Sequence, residues 1–389
     1  MPDKPNTVAV TGTNGKTTTL KILENIFKVN NFKGPYKSFS SRITEKPSLL
    51  KKINEAYQKG AGCAFLELSS KALSGYHLKS INFDLAVITN LSTIISNSSD
   101  NVQRSFGILT NFYKRLGQNS ISLINADDPL ALQLADFTQG EVITYALGYP
   151  NAMVTAKNVE LNQKSSRFKM VINSYLLTPK GKVVSPSVYN FFLPLPGKHN
   201  VYNGMVAALM AIFCGLDCKL IARGFSTVQP VKRNLELIYN NCFSIIDDCA
   251  DNPGALQSVF DTIRYYNFRN IIIVFSLQNN HNLKVCRLNG ELIAKWARKL
   301  PLKEVIVTKS IYQVNKKNRI NLWEEKAFLE KCKETRCRLS VIPDLADALQ
   351  AAVSSAEERD LILLLGKKGM EAGASLSEKV IQSFSGSSG

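Results

Sequence analysis

Two hydrophobic rhythms alternate along the first 230 residues. Short continuous apolar runs at Thr7 to Thr11, Ala64 to Leu68, Leu85 to Thr89, Ser120 to Asn125 and Val142 to Ala146 are each followed by a stretch of helical period. Strands spaced by helical patterns in this way predict a parallel sheet wrapped by helices. Val154 to Phe192 departs from the rhythm: alternating segments such as Lys-Met-Val-Ile and Asn-Phe-Phe-Leu, split by Gly and Pro, predict an antiparallel hairpin excursion. An apolar helix rich in Ala and Met follows from Tyr202 to Cys214. The strand and helix rhythm restarts near Arg233, with Phe243 to Asp247, a helix from Pro253, and strands at Ile271 to Phe275, Val305 to Thr308, Leu339 to Ile342 and Leu361 to Leu365. The seam falls at Thr227-Val-Gln-Pro-Val-Lys-Arg233, where Pro230 interrupts a helix-to-strand connection. The pattern therefore predicts an α/β unit over residues 1–230, a second over 231–382, and a low-complexity, disordered tail over 383–389.

With 389 residues and 45% hydrophobic content the chain can bury a sizeable core, and usual domain sizes make two or three domains the expectation. No apolar run approaches a membrane span, and Met1-Pro-Asp-Lys leads into the first strand with no signal-peptide core, so a cytoplasmic protein with no membrane partner is expected. Eight scattered cysteines, none in a C-x-x-C pair, point to free thiols rather than disulfides or zinc. The net charge of +17 raises nucleic acid as a competing partner. That charge is diffuse, in short pairs such as Lys51-Lys52 and Lys316-Lys317 with acids nearby, and reads as a solvated surface; no nucleic-acid partner is expected.

Chemistry concentrates at Val8-Ala-Val-Thr-Gly-Thr-Asn-Gly-Lys-Thr-Thr-Thr19, where a strand breaks into a glycine-bearing turn and then a helix. Gly12 and Gly15 allow a tight turn whose backbone N–H groups converge on a phosphate. Lys16 adds a point charge, Thr17 a hydroxyl for Mg²⁺, and the helix from about Thr18 aims its positive end at the anion. The generic pattern has glycine where this chain has Val10. Glu67 ends an apolar strand; such a carboxylate beside a phosphate loop holds Mg²⁺, or is an ordinary surface glutamate.

The wording Thr11-Gly-Thr-Asn-Gly-Lys-Thr-Thr18 resembles the ATP-binding loop of the Mur ligases, ATP-dependent amide synthetases. Leu66-Glu-Leu-Ser-Ser-Lys-Ala-Leu73 is similar to the family's Glu-Val-Ser-Ser-His-Ala-Leu, in wording nearest the branch that makes UDP-N-acetylmuramoyl-tripeptide, where the glutamate binds metal. Thr89-Asn-Leu91, Asn125-Ala-Asp-Asp-Pro129, Gly197-Lys-His-Asn-Val-Tyr-Asn203, Asp248-Cys-Ala-Asp-Asn-Pro-Gly-Ala-Leu256 and Gly366-Lys-Lys-Gly-Met-Glu371 continue the likeness in order. In the Asn125 stretch, Asp127 and Asp128 contact the adenosine or cap the following helix. The resemblance implies a P-loop-type, mostly parallel central ATP-binding domain followed by a Rossmann-like C-terminal domain. It implies ATP and Mg²⁺ as cofactors, and an activity in which ATP phosphorylates a carboxylate acceptor that an amino acid then attacks to form an amide. Implied nucleotide residues are Gly12, Thr13, Asn14, Gly15, Lys16, Thr17, Thr18, His199, Asn200 and Asn203; Lys16 and Glu67 would be catalytic, and Thr17 and Glu67 would hold metal.

Several motif positions depart from the family. Ile95 stands where a metal histidine belongs, and an ungapped count puts Leu109 at the carbamylated lysine, with Lys114 nearby. Asp251 replaces a histidine, Gln278-Asn-Asn-His-Asn-Leu283 replaces an Arg-Asp pair, and Lys309-Ser-Ile-Tyr312 replaces the Asp-Asn-Pro-Arg signature. His77, His199 and His281 lie too far apart in sequence to show metal-ligand spacing. Arg233 with Glu236 loosely matches Gly-Arg-x-Glu, or forms a structural ion pair. The family's leading UDP-sugar domain has no room before residue 8, so a partner subunit supplying that grip is an expectation. Two readings stay open: a ligase joining an amino acid to a carboxylate acceptor, and a non-catalytic ATP-binding paralogue acting as partner or sensor.

Overall fold

The computed structural model describes residues 6–31, 36–40, 48–75, 78–91, 99–278, 283–335 and 337–386. The chain divides into two compact units, one running to Gln229 and the other from Pro230.

The first unit runs β1 (Asn6–Thr11), α1 (Lys16–Val29), β2 (Tyr36–Phe39), α2 (Leu49–Gln58), β3 (Cys63–Glu67), α3 (Ser70–Leu73), β4 (Leu85–Ile88), α4 (Ser99–Tyr113), β5 (Ile121–Asn125), α5 (Pro129–Leu132), β6 (Glu141–Ala146), β7 (Val154–Leu161), β8 (Ser166–Ile172), β9 (Leu176–Leu177), β10 (Val183–Val184), β11 (Ser187–Leu193), α6 (Lys198–Phe213) and α7 (Cys218–Ser226). Nine strands form one sheet in the order β11-β8-β7-β6-β5-β4-β1-β3-β2, parallel from β2 across to β7. The segment read as an antiparallel hairpin excursion is antiparallel but continues the main sheet: β7 joins β6 in parallel, β8 and β11 add on antiparallel, and β9 and β10 make a separate ladder. Every residue of β1 is buried, and its alternation divides between two layers. Val8 and Val10 face a core with Ile22, Leu23, Ile26 and Met205, while Ala9 faces Leu66, Ile88, Leu109 and Phe112. Fully burying each such aliphatic or aromatic side chain contributes roughly 1.5–3 kcal/mol. Helix α6 is apolar nearly all round and accordingly buried from Asn200 to Ala211 apart from Tyr202. Gly224 of α7 lets the backbones of α1 and α7 approach, since a Cβ there would lie 2.5 Å from the Cα of Ile26.

The second unit contains β12 (Glu236–Asn240), β13 (Ser244–Asp248), α8 (Pro253–Ile263), β14 (Ile271–Ser276), α9 (Leu283–Ala297), β15 (Leu302–Thr308), α10 (Leu322–Cys332), β16 (Arg338–Ile342), α11 (Leu345–Ser355), β17 (Leu361–Leu365) and α12 (Gly373–Gly386). Its sheet order is β12-β13-β17-β14-β15-β16, parallel except at β12, an edge strand the apolar pattern did not reveal. Asn252, Asn321 and Asp344 cap α8, α10 and α11 by accepting N–H bonds from the first turn, so polar residues set those helix starts. Helix α12 continues to Gly386, so Ser383 to Gly386, expected in a disordered tail, are helical. Leu376, Val380 and Ile381 pack that helix onto the core around Leu345 and Leu349, and the packing overrides the weak helix propensity of Ser and Gly. Among the described residues no helix is long and apolar enough to cross a membrane.

Candidate functional site

Strand β1 lies between β3 and β4, so the chain leaves its carboxyl end toward opposite sides of the sheet. Such a reversal opens a crevice at the strand tips, where α/β sheets bind ligands. The turn filling it, residues 12–15, ends at Gly15 with φ +87°, directly before α1. The tip of β4 fixes its shape. Thr89 places its hydroxyl 2.7 Å from the Asn14 carbonyl and 3.1 Å from that of Thr11. Asn90 closes the clamp: its amide donates to Asn14 O at 3.1 Å and accepts from Asn14 N at 3.0 Å, while its carbonyl accepts from Thr13 N at 2.9 Å. Asn125 in turn donates to Thr89 O at 2.9 Å.

Around this turn stand the residues singled out for phosphate and metal. Lys16 arches back and donates from Nζ to Gly12 O at 2.6 Å and Thr13 O at 3.1 Å, which holds its charge over the turn. Thr17 donates from Oγ1 to Glu67 Oε1 at 2.9 Å, joining the first turn of α1 to the end of β3. Glu67 is buried, so it is not the exposed strand-end glutamate of the alternative reading. A hydroxyl and a carboxylate converging beside this turn form an oxygen donor set that fits Mg²⁺. Thr18 is buried on the inner side of α1, and Thr13 and Asn14 are half-buried in the turn.

Asn200 and Asn203 lie in the first turns of α6, and both are buried. Asn203 accepts from Thr19 Oγ1 at 3.3 Å and donates to Asn200 Oδ1 at 3.1 Å, while Asn200 donates to Pro196 O at 2.7 Å. A methyl group on Gly15 would collide with Asn203 Oδ1. These two amides thus stand behind the turn and engage the protein. His199 precedes them, half-buried. Asp128 takes the capping role, accepting from Leu130 N and Ala131 N at 3.1 Å and also from Leu91 N. Burial alone would raise the Asp127 carboxyl, but Tyr202, donating at 2.6 Å, and the N–H groups of Gly148 and Leu147 hold it below its ordinary range.

Some positions come apart. Ile95, His77 and His281 lie outside the described residues. Leu109 is buried in the apolar core beneath α4, and Lys114 is exposed just past that helix, its ammonium 5.3 Å from the centre of the Phe137 ring. In the second unit, Arg233 makes the structural ion pair, 3.0 Å from Asp247, and donates to the carbonyls of Lys367 (2.8 Å) and Gly366. Burial pushes Asp247 up to about 6 against the pull of Arg233, and Asp248 up to about 7 against N–H bonds from Leu235 and Ala250. Gly369 packs against Ser276, Gln278 and Ser310, so the closing glycine motif seats on the tips of β14 and β15. Thr89 and Asn90 carried only a likeness in sequence, and their clamp on the turn comes from 75 and more residues away.

Residues 10–211 match the Mur ligase middle domain, and residues 235–368 match the domain described as Mur ligase, glutamate ligase. A UDP-N-acetylmuramoyl-L-alanyl-D-glutamate–2,6-diaminopimelate ligase from Caldanaerobacter subterraneus is 26% identical over 386 residues, covering 96% of this chain and 75% of that protein. Among solved structures, MurF from Acinetobacter baumannii superposes with a TM-score of 0.73 at 17% identity, over 98% of this chain and 77% of that one. MurF from Thermotoga maritima in complex with ADP gives 0.70 at 14% identity, over 98% and 81%. At these identities the structural likeness speaks for the fold.

Proposed function

Because this chain belongs to the Mur ligase family, whose members are ATP-dependent acid–amino-acid ligases of peptidoglycan synthesis, we propose that it binds ATP with Mg²⁺ at the β1–α1 turn. There it joins an amino acid to a carboxylate acceptor through an acyl phosphate. The observation that carries this reading is the Thr17–Glu67 oxygen pair, 2.9 Å apart, beside the Lys16-bearing turn. Lys16 would leave its two carbonyls for the β/γ-phosphates, exchanging neutral acceptors for charged ones. Thr17 and Glu67 would hold Mg²⁺, which when bound neutralises phosphate charge. The N–H groups at the start of α1 would receive phosphate oxygens, and the dipole of a 14-residue helix favours that charge. Asn200 and Asn203 would act behind the turn as its support, and His199, half-buried at the start of α6, would face the nucleotide as the family resemblance implies. A cytoplasmic setting accompanies the reading, since it requires ATP. The relative's printed name supports a cell-wall peptide acceptor and a diaminopimelate-like amino acid as the first substrates to try. The changed Lys309-Ser-Ile-Tyr312 segment argues for widening the panel to other amino acids.

The second reading, a non-catalytic nucleotide-binding paralogue, draws support from Leu109, whose burial in an apolar core leaves no lysine to carbamylate at that position. Two measurements separate the readings. Calorimetric titration with ATP and Mg²⁺ should give binding that Lys16→Ala weakens roughly 10- to 150-fold, the worth of one or two charge-assisted hydrogen bonds. Phosphate release should require both an amino acid and an acceptor and be indifferent to bicarbonate. Binding without release across the panel favours the paralogue; equal binding by wild type and Lys16→Ala removes the nucleotide site itself.

A further inference from the structure

Cys63 opens β3 and Cys214 caps α6, with their sulfurs 3.7 Å apart although 151 residues separate them in the chain. Both line a void of about 10 Å³ with Phe65, Met210 and Phe213, so the sulfurs have room to turn toward each other. We propose that Cys63 and Cys214 are an oxidative modification site that closes to a disulfide when a hydroperoxide reaches the pair. The Cys214 thiol, hydrogen-bonded to Cys63, holds the Cys63 thiol below its ordinary value against burial, with the Lys180 charge helping. Cys214 is pushed the other way, by the same hydrogen bond and then by burial. The shared hydrogen bond lets one sulfur ionise while the other keeps its proton, and in the proposed step Cys63 is the thiolate and Cys214 the resolving thiol.

The Cys63 thiolate attacks the peroxide O–O bond, which breaks; its sulfur becomes a sulfenic acid and the leaving alkoxide takes a proton to become an alcohol. Cys214 sulfur then attacks the sulfenic sulfur, the S–O bond breaks, and hydroxide leaves with the Cys214 proton as water. In sum, two thiols and one hydroperoxide give one disulfide, one alcohol and one water. The bridge ties the start of β3 to the end of α6, opposite the ends that carry Glu67 and Asn200. It leaves the phosphate turn intact and closes a long loop in the unfolded chain, so the first unit gains stability on oxidation.

The test is to expose the full chain to hydrogen peroxide, map its peptides without reduction, and follow unfolding by calorimetry before and after dithiothreitol. The expected product is a Cys63–Cys214 cross-linked peptide pair lighter by two hydrogen atoms. The expected shift is a thiol-reversible rise in melting temperature of roughly 5–15 °C. Cys214→Ser should abolish both, and Cys242→Ser, at an exposed cysteine, should keep both. Sulfinic acid accumulating on Cys63, cross-links running only through Cys242 between chains, or an unshifted melting temperature overturns the proposal. Should Cys214→Ser fail to fold, the peptide map of Cys242→Ser decides alone.

Discussion

Replacing Gly15 by alanine tests how the turn is built. Gly15 adopts φ +87°, where an L side chain costs roughly 1–2 kcal/mol. The added methyl also lands on Asn203 Oδ1 and forces a buried amide to turn away from Thr19 and Asn200. Those two bonds are neutral, and the one from Thr19 is long at 3.3 Å, so losing them costs about 1–2 kcal/mol more. Gly15→Ala should therefore destabilise the first unit by about 2–4 kcal/mol, a drop of roughly 5–15 °C in melting temperature for a unit of this size. In an Asn203→Ala background the methyl has space and only the backbone strain remains. A double-mutant cycle followed by urea unfolding should then return a coupling of about 1–2 kcal/mol, with Gly15→Ala milder in the second background. Equal cost in both backgrounds would refute the claim that Asn203 acts by supporting the turn. An Asn203→Ala protein of normal stability that has lost ATP affinity would instead make Asn203 a direct contact.

Three further outcomes are expected. Asp247 and Asp248 have folded-state values of about 6 and about 7, above the 3.8 of an unperturbed carboxyl, so between those limits the folded protein binds more protons than the unfolded one. Their contribution to the second unit's stability is fully present below about pH 4 and declines as pH rises through 6 and 7, by a few kcal/mol at about 1.4 kcal/mol per pH unit. Asp248→Asn should flatten that slope in urea titrations at several pH values, and an unchanged slope counts against the burial argument. Leu109→Lys, which installs the family's residue, should lower stability by about 3 kcal/mol or more by placing an ammonium in an apolar core, and bicarbonate should not raise its phosphate release; a bicarbonate-dependent gain would show that the helix can present that position to the site. Gly224→Ala should push α1 and α7 apart and cost about 1–3 kcal/mol by thermal unfolding, whereas a neutral result would mean the α1–α7 approach is not held tightly.

The apolar runs and the Gly-Lys-Thr wording made most strands and the glycine turn before α1 legible, because strand burial and turn geometry are local. Glu67 was legible for the same reason, standing at the end of its own apolar run. Asn203 against Gly15 was not, because that contact joins residues 188 positions apart, and its geometry depends on how α6 lies along α1. The edge strands β2 and β12 escaped notice since β12 alternates partly exposed residues and β2 is only four residues long. Ser383 to Gly386 were misread from composition, which cannot register that a helix already packed through Val380 carries its last turn along.

The clamp of Thr89 and Asn90 on the turn bears on how fast a ligand can be captured. Hydrogen bonds from a neighbouring strand hold the backbone of Thr13 and Asn14 in shape, so the entropy of ordering it is spent during folding and not on each encounter. What would have to move is the half-buried Lys16 side chain, whose release from two carbonyls is a rotamer change, the fastest class of side-chain motion. If a nucleotide binds here as proposed, its capture would be limited by diffusion and orientation, and differences in affinity among phosphate ligands would be written in how long each one stays.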